Sequence, residues 1–300
     1  MRALITGVTG MDGSHLAEIL VEQGHDVFGV IRDPDRRSAN LDNWTLAADV
    51  RYVVADLLDA ESLRRAFVQA QPDAIYHLAA MSSPSQAWVM PELCGQVTGI
   101  AVGRLLDVAA NVVPGAAVIV AGSLATHGPY GAAKEYARLI AADHRARGQN
   151  VTTIVMGGHH SPRRGASYLS QKVARHAAAA AEAWRHDGGA VPSKLHLGWL
   201  GRVQDWGWAP DFMRTWSSAH LLAPGEYVLS TGVPYAVQDY VASAYESAGL
   251  RWLDWVIAGT GAAQPVDVAT LTAKPDPALD FIPTVDFADL VSRMVYPRER

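Results

Sequence analysis

A doubly wound α/β fold built on a parallel sheet is the architecture this sequence predicts, from two observations. Short β-rich runs alternate with amphipathic helix-length stretches through the first half of the chain, and such alternation places helices on both faces of a parallel sheet. The first run, Ala3-Leu4-Ile5-Thr6, passes directly into the turn Gly7-Val8-Thr9-Gly10-Met11-Asp12-Gly13, and a stretch with Leu16, Ile19 and Leu20 on one face follows. Glycines at this GxxGxxG spacing let the backbone turn tightly and approach a pyrophosphate, while the helix N-terminus behind them offers free N–H groups and partial positive charge. Strand, turn and helix in this order predict dinucleotide binding at Gly7, Gly10 and Gly13.

Taken in order, the expected strands are Ala3–Thr6, Asp26–Ile31, Tyr52–Ala55, Ala74–Leu78, Ala117–Ala121 and Thr152–Met156, short apolar runs of the kind a two-sided sheet buries. The expected helices between them include Ser14–Gln23, Ala60–Ala70 and Gly99–Ala110. Ligands of such sheets sit beyond the carboxyl ends of the strands. Residues 1–156 are therefore read as a Rossmann-type dinucleotide-binding domain. Residues 157–300 are read mostly as a smaller substrate lobe, with some segments returning to the first domain. Seven of the nine tryptophans fall between Trp184 and Trp255, which predicts a compact lobe packed through those rings, by core burial or subunit contact, with a base-stacking role open to one or two.

Composition narrows the function classes. With 300 residues, 49% hydrophobic and 18% charged, the chain has enough apolar content for a substantial core. Its formal net charge of −5 gives no general attraction to nucleic acid or to an anionic membrane. Cys94 is the single cysteine, so no internal disulfide forms and a reducing, cytoplasmic setting is expected. With a strand expected from residue 3, no leader is expected before it. The alanine-rich stretch Ala177–Ala183 is flanked by Arg175, His176 and Arg185 and is not a membrane span.

The second strand decides between cofactors. NAD-binding folds usually close it with an acid that bonds the ribose 2′-hydroxyl. Here Ile31 holds that place, Arg32 follows, and Asp33 comes late. Arg32, with Arg36 and Arg37 beyond it, suits a 2′-phosphate, so NADP is expected over NAD; a solvated loop is the alternative reading of these arginines. Asp56 is placed for the adenine amino group, and Leu78-Ala79-Ala80 offers small side chains where a cofactor passes close to backbone. Tyr130-Gly131-Ala132-Ala133-Lys134 puts a phenol and an ammonium on one helical face. A nearby cation lowers a tyrosine pKa toward working pH and makes it a usable base, and Ser123 is the candidate hydrogen-bond donor to the same substrate oxygen.

On these motifs the chain resembles the extended short-chain dehydrogenases/reductases, and among them the GDP-mannose 4,6-dehydratase family. The narrower markers are Ala55-Asp56-Leu57, Ile75-Tyr76-His77-Leu78-Ala79-Ala80, Ser161-Pro162-Arg163-Arg164-Gly165, Asp205-Trp206-Gly207 and Tyr227-Val228-Leu229-Ser230-Thr231-Gly232. The resemblance implies cofactor contacts at Thr9, Met11, Asp12, Leu57, Ser82, His159 and Arg164, and sugar-nucleotide contacts at Leu169 and Lys172. It also implies a reaction in which tyrosinate takes the 4-hydroxyl proton as hydride leaves C4 for NADP⁺. A carboxylate then removes the C5 proton, water leaves C6, and hydride returns to C6. A homodimer or homotetramer is implied, with Arg36-Arg37-Ser38 resembling the interfacial loop of the family.

Departures from the family fall on the chemistry. Leu124 stands where the elimination glutamate belongs, and seven positions separate Ser123 from Tyr130 in place of a loop of roughly twenty residues. Gln204, Ala262 and Gln238 occupy arginine positions, Gly158 an asparagine position and His160 a glutamate position. His127 and His160 are the candidate replacement bases. No metal is expected at His159-His160, because adjacent side chains diverge and no cysteine or acid cluster surrounds them. Two functions follow: an NADP-dependent nucleotide-sugar dehydratase or oxidoreductase using Tyr130, or a cofactor-binding homologue that has lost its sugar chemistry and serves as a binding or regulatory protein.

Overall fold

The computed structural model describes residues 1–33, 49–125, 127–185, 192–259 and 272–297. They form two compact units. The first holds residues 1–156, 209–229 and 275–281, and the second holds 157–208, 230–274 and 282–300.

The first unit is built on β1 (Arg2–Thr6), α1 (Met11–Glu22), β2 (Asp26–Ile31), β3 (Val50–Val54), α2 (Ala60–Ala70), β4 (Ala74–His77), α3 (Pro84–Val89), α4 (Ala101–Val112), β5 (Ala117–Ser123), α5 (Gly128–Ala146) and β6 (Val151–Met156). Glu226–Leu229 supplies a seventh strand, giving the order Glu226–Leu229, β6, β5, β4, β1, β2, β3. All neighbours are parallel. The chain runs outward from β1 to β3 and then returns to β4 on the other side of β1. That reversal opens a crevice beyond the ends of β1 and β4, where ligands of such sheets bind.

Alternation along the strands divides the core in two. Leu4, Phe28, Val30, Ile75, Val118 and Val120 face α2, α4 and α5, which contribute Leu63, Phe67, Leu105 and Ala137. Ala3, Ile5, Val27, Tyr76 and Ile119 face α1 and the helix Ala209–Ser217, which contribute Leu16, Leu20, Phe212 and Trp216. Leu4 and Phe67 are fully buried, and each such side chain stabilises the fold by about 1.5–3 kcal/mol relative to exposure.

Several boundaries differ from the sequence reading for local reasons. Helix α1 begins at Met11 rather than Ser14, because the turn closes early: the Gly10 N–H donates to the Gly7 carbonyl at 2.9 Å. Strand β5 continues to Ser123, since Gly122 and Ser123 still pair with Val155 and Met156. Strand β3 starts at Val50, opposite Val27, and Ala55 only adds a hydrogen bond to the Ile31 carbonyl at 3.0 Å. A π-helical turn at Gly95–Ile100 precedes α4 and displaces the expected start at Gly99. The helical run Pro91–Val112 is long and apolar enough to cross a membrane by length and composition, and half of that span is buried in the first unit.

In the second unit, His159–His160 pairs in parallel with Gly207–Trp208, Val203–Asp205 pairs antiparallel with Pro234–Ala236, and Leu195–Leu197 pairs in parallel with Val256–Ala258. Helices Leu169–Arg185, Val237–Ser247 and Phe287–Val295 pack around Val173, Ala177, Trp206, Tyr240, Leu290 and Met294. The small buried side chains of the alanine-rich stretch allow this close helix packing. The tryptophans do not form one lobe: Trp216 belongs to the core of the first unit, while Trp206 and Trp255 lie in the core of the second. Trp184 and Trp199 are 74% and 43% exposed.

Candidate active site

The glycine turn is shaped by close approach. Gly7 has φ +76°, and a Cβ there would stand 2.8 Å from the Ala79 nitrogen. A Cβ on Gly13 would lie 2.2 Å from the Gly7 carbonyl oxygen. No side chain larger than hydrogen fits either position without moving backbone. Gly10 caps α1 with no side-chain hydrogen bond, and this helix start carries a partial positive charge. Met11 is buried, while Thr9 and Asp12 at the same turn are partly exposed.

Beside this turn, the Thr6 hydroxyl accepts from the Ala79 N–H at 3.3 Å and lies 2.8 Å from His77 Nδ1. The hydroxyl bonds Nδ1 as donor or acceptor according to the imidazole tautomer. Burial, and then the neighbouring Lys134 charge, push the His77 pKa down to about 3. This buried pair joins β1 to β4 and fixes the Leu78-Ala79-Ala80 segment against Gly7. The sequence reading missed it, although a histidine ending an apolar strand was a visible signal.

Lys134, on the first turns of α5, is only 8% exposed. Its ammonium donates to the Ala121 carbonyl of β5 at 2.6 Å and stands 6.0 Å from the centre of the Tyr130 ring. Burial lowers its pKa to about 8, against the opposing pull of Asp12 and Cys94. Tyr130 is partly exposed, and Ser123, at the end of β5, accepts the Ala125 N–H at 3.1 Å. The structure thus brings Tyr130, Lys134, Ser123, Asp12 and the glycine turn into one unit. The short connection after Ser123 is tight: Leu124 donates its N–H to the Met156 carbonyl at 3.1 Å, and a Cβ on Gly128, at the start of α5, would stand 3.1 Å from the Trp88 ring.

The other expected cofactor positions are varied. Arg32 is exposed just after β2, and Ile31 closes that strand without an acid. Arg37, like Arg36, Ser38 and Ala262, lies outside the described residues. Asp56 is exposed, with Oδ1 accepting the Leu58 N–H at 2.9 Å. Leu57 is 7% exposed and packed in the core, its carbonyl accepting from Arg104 at 2.6 Å. Ser82 is exposed after β4, and the neighbouring Met81 N–H is held by Thr98 from the π-helical turn at 3.0 Å.

His159, Arg164, Leu169 and Lys172 belong to the second unit. Arg164 donates to the His159 carbonyl at 2.8 Å and lies over the Tyr168 ring at 4.5 Å. Leu169 opens the helix Leu169–Arg185 and packs against the core, and Lys172 is exposed one turn on. His160 is no replacement base. It is 6% exposed, its Nδ1 is 3.1 Å from the Ser170 hydroxyl, and its ring stacks on Trp206 at 4.6 Å. Burial drives its pKa well below the usual histidine range. His127 is exposed at the N-cap of α5. The glycine at 158 is locked in as well: a Cβ there would meet the Asp205 carbonyl oxygen at 2.3 Å.

The glycine turn, the reversal of strand order beside it and the Tyr130–Lys134 couple define an extended short-chain dehydrogenase/reductase. Comparison with known proteins narrows the class. The sequence model for GDP-mannose 4,6 dehydratase matches residues 4–128 and 121–294. GDP-mannose 4,6 dehydratase 1 of Arabidopsis thaliana is 30% identical over 98% of this chain and 88% of its own length. The GDP-mannose 4,6-dehydratase of Sinorhizobium fredii is 31% identical over 89% and 82% respectively. The chain belongs to the GDP-mannose 4,6-dehydratase family. Its fold is shared by the UDP-glucose 4-epimerase of Thermus thermophilus, solved with NAD, at a TM-score of 0.79 and 21% identity, covering 98% of each chain. A dTDP-glucose 4,6-dehydratase of Streptomyces venezuelae, solved with NAD as a double mutant, gives a TM-score of 0.77 and 23% identity, covering 98% of this chain and 96% of that one.

Proposed function

We propose that the chain is an NADP-dependent nucleotide-sugar dehydratase or oxidoreductase that exchanges hydride at the sugar C4 carbinol, with Tyr130 as base and a GDP-mannose-like substrate. The observation that carries this reading is the buried Lys134 ammonium, held on the Ala121 carbonyl beside Tyr130 in the same unit as the glycine turn. A dinucleotide suits the turn, because Gly7 and Gly13 let it close where a Cβ has no space and α1 carries no side-chain cap. Arg32, with no acid closing β2, supports NADP over NAD.

When bound, the nicotinamide supplies a hydride acceptor that can also return the hydride. Tyr130 takes the C4 hydroxyl proton, Lys134 favours its phenolate by proximity of charge, and Ser123 orients the same oxygen. Neutral His77 holds the loop after β4 against the turn without adding a second cation beside Lys134. Leu124 brings no carboxylate to the C5 proton, so elimination is the slower part of the reaction, and Leu124→Glu is expected to raise water loss relative to oxidation. A second copy of the chain is the partner this reading expects. It would dock on the face where Ile100, Tyr136 and Leu139 are 48%, 46% and 55% exposed, beside a cavity of about 490 Å³; sedimentation velocity tests it, and a monomer at micromolar concentration contradicts it. A cytoplasmic location accords with the single reduced cysteine, Cys94.

Incubation of purified protein with NADP⁺ and GDP-mannose, followed by mass spectrometry and absorbance of the reduced cofactor, tests the function. Loss of one water from the sugar identifies complete dehydration, and accumulation of reduced cofactor with a keto sugar identifies oxidation alone. Silence across GDP-, UDP- and dTDP-sugars with cofactor bound contradicts the reading and favours a binding protein.

A further inference from the structure

Among the described residues, no acid forms an ion pair with Arg202. It precedes the strand Val203–Asp205, and its carbonyl accepts the Val237 N–H at 2.8 Å. Its Nε is buried and has no hydrogen-bond partner, and its guanidinium is placed in no ion pair among the described residues. Two acids near it, Asp205 on the strand and Asp239 on the helix that follows, are committed elsewhere. Asp205 accepts from Ser230 at 2.6 Å, from the Thr231 N–H at 2.7 Å, from the Thr231 hydroxyl and from the Trp206 N–H. Asp239 accepts the Ala236 N–H at 2.8 Å.

Strand alternation places Arg202 and Gln204 on one face, with Asp205 turned to the other. Tyr235 lies directly across from Gln204 in the antiparallel pair. A guanidinium, a primary amide and a phenol on one strand face match a phosphate-type anion, for which the planar guanidinium is a bidentate donor. Half-burying an arginine without a partner costs stability, and a bound anion offsets that cost.

We infer that Arg202 is the phosphate-binding cation of the second unit and receives the diphosphate of the nucleoside-diphosphate ligand. The inference rests on the nucleotide-sugar reading above and adds the residue that holds the charge. Gln204 and Tyr235 flank the anion as neutral hydrogen-bonding groups on the same strand face.

The test is calorimetric titration of GDP into wild type, Arg202→Met and Arg202→Gln, at two salt concentrations. Loss of one charge-assisted contact weakens GDP by about 10- to 100-fold and flattens the salt dependence. NADPH affinity stays as in wild type. The unliganded Tm of Arg202→Met stays level or rises, because a partnerless buried cation has been removed; a structural role for Arg202 requires it to fall. Arg202→Gln, which retains a polar terminus, shows the same loss of GDP affinity. Unchanged GDP binding in either variant overturns the inference and leaves the proposed function standing. Wild type that binds neither GDP nor UDP overturns both.

Discussion

The two units treat their binding residues in opposite ways. In the first, the glycine turn, the Thr6–His77 pair and the Lys134–Ala121 contact belong to one unit, and Gly7 and Gly13 are enforced by backbone within 3 Å. In the second, positions where the family carries charge hold Gln204 and Gln238, His160 is sealed under Trp206, and Arg202 is left without a partner. The first unit is preorganised for one ligand class, since a site of close backbone contacts tolerates little change. The second has exchanged side chains on a retained frame, in which Asp205 still ties the Trp206 strand to Ser230 and Thr231. Cofactor chemistry thus depends on backbone geometry, whereas substrate choice depends on side chains that substitution can move.

The largest effect should come from breaking the first unit at its base. Tyr130→Phe is expected to lower kcat by about 10²–10⁴ while NADPH affinity changes less than about threefold on the scale of one weak contact. A variant with substantial turnover would remove the proposed base. Next comes Gly13→Ala, whose Cβ has no space. Overpacking of this kind costs about 1–3 kcal/mol, so both NADPH affinity and Tm should fall, and a normal dissociation constant would show the turn is not the binding surface.

The pH dependence sharpens the same comparison. Lys134 titrates near 8 in the folded protein against 10.5 unperturbed. Its charge supports Tyr130 below pH 8 and disappears above it, so log kcat/KM should bend downward near pH 8. For stability the sign is reversed: between about pH 8 and 10.5 the unfolded chain holds the proton and the folded chain does not, so this residue makes stability rise with pH there. A pH–rate profile without an alkaline limb in wild type would separate Lys134 from the chemistry. The smallest effect concerns His77, whose pKa falls from 6.5 to about 3. The unfolded chain takes up the proton across that window, so stability is lost as pH falls below 6.5. The drop in Tm from pH 7 to pH 5 should be smaller in His77→Gln than in wild type; equal drops would show that the Thr6–His77 pair is not a source of acid sensitivity.

Most of the fold was legible because the strands of the first unit are short, apolar and separated by helices of ordinary length. Asp26–Ile31 and Ala60–Ala70 lie where the pattern places them. Helix starts were less legible: α1 begins inside the glycine turn because backbone closure, which periodicity does not record, sets its first residue. The Tyr130–Lys134 couple was readable from its spacing, but the carbonyl that holds the ammonium belongs to a strand thirteen residues earlier. His160 illustrates the reverse error. As a sequence position it was a candidate base, and only tertiary packing under Trp206 excludes it. Arg202 carried no motif; its signal lay in strand alternation with Gln204 and in a buried Nε without a hydrogen-bond partner, which sequence order alone does not show.

The most direct measurement of the central claim is a fluorescence titration of the purified protein with NADPH and, separately, NADH. Saturable binding of one NADPH per chain, tighter than NADH and weakened by Arg32→Ala, is the predicted result. Absence of binding by either dinucleotide would contradict the account.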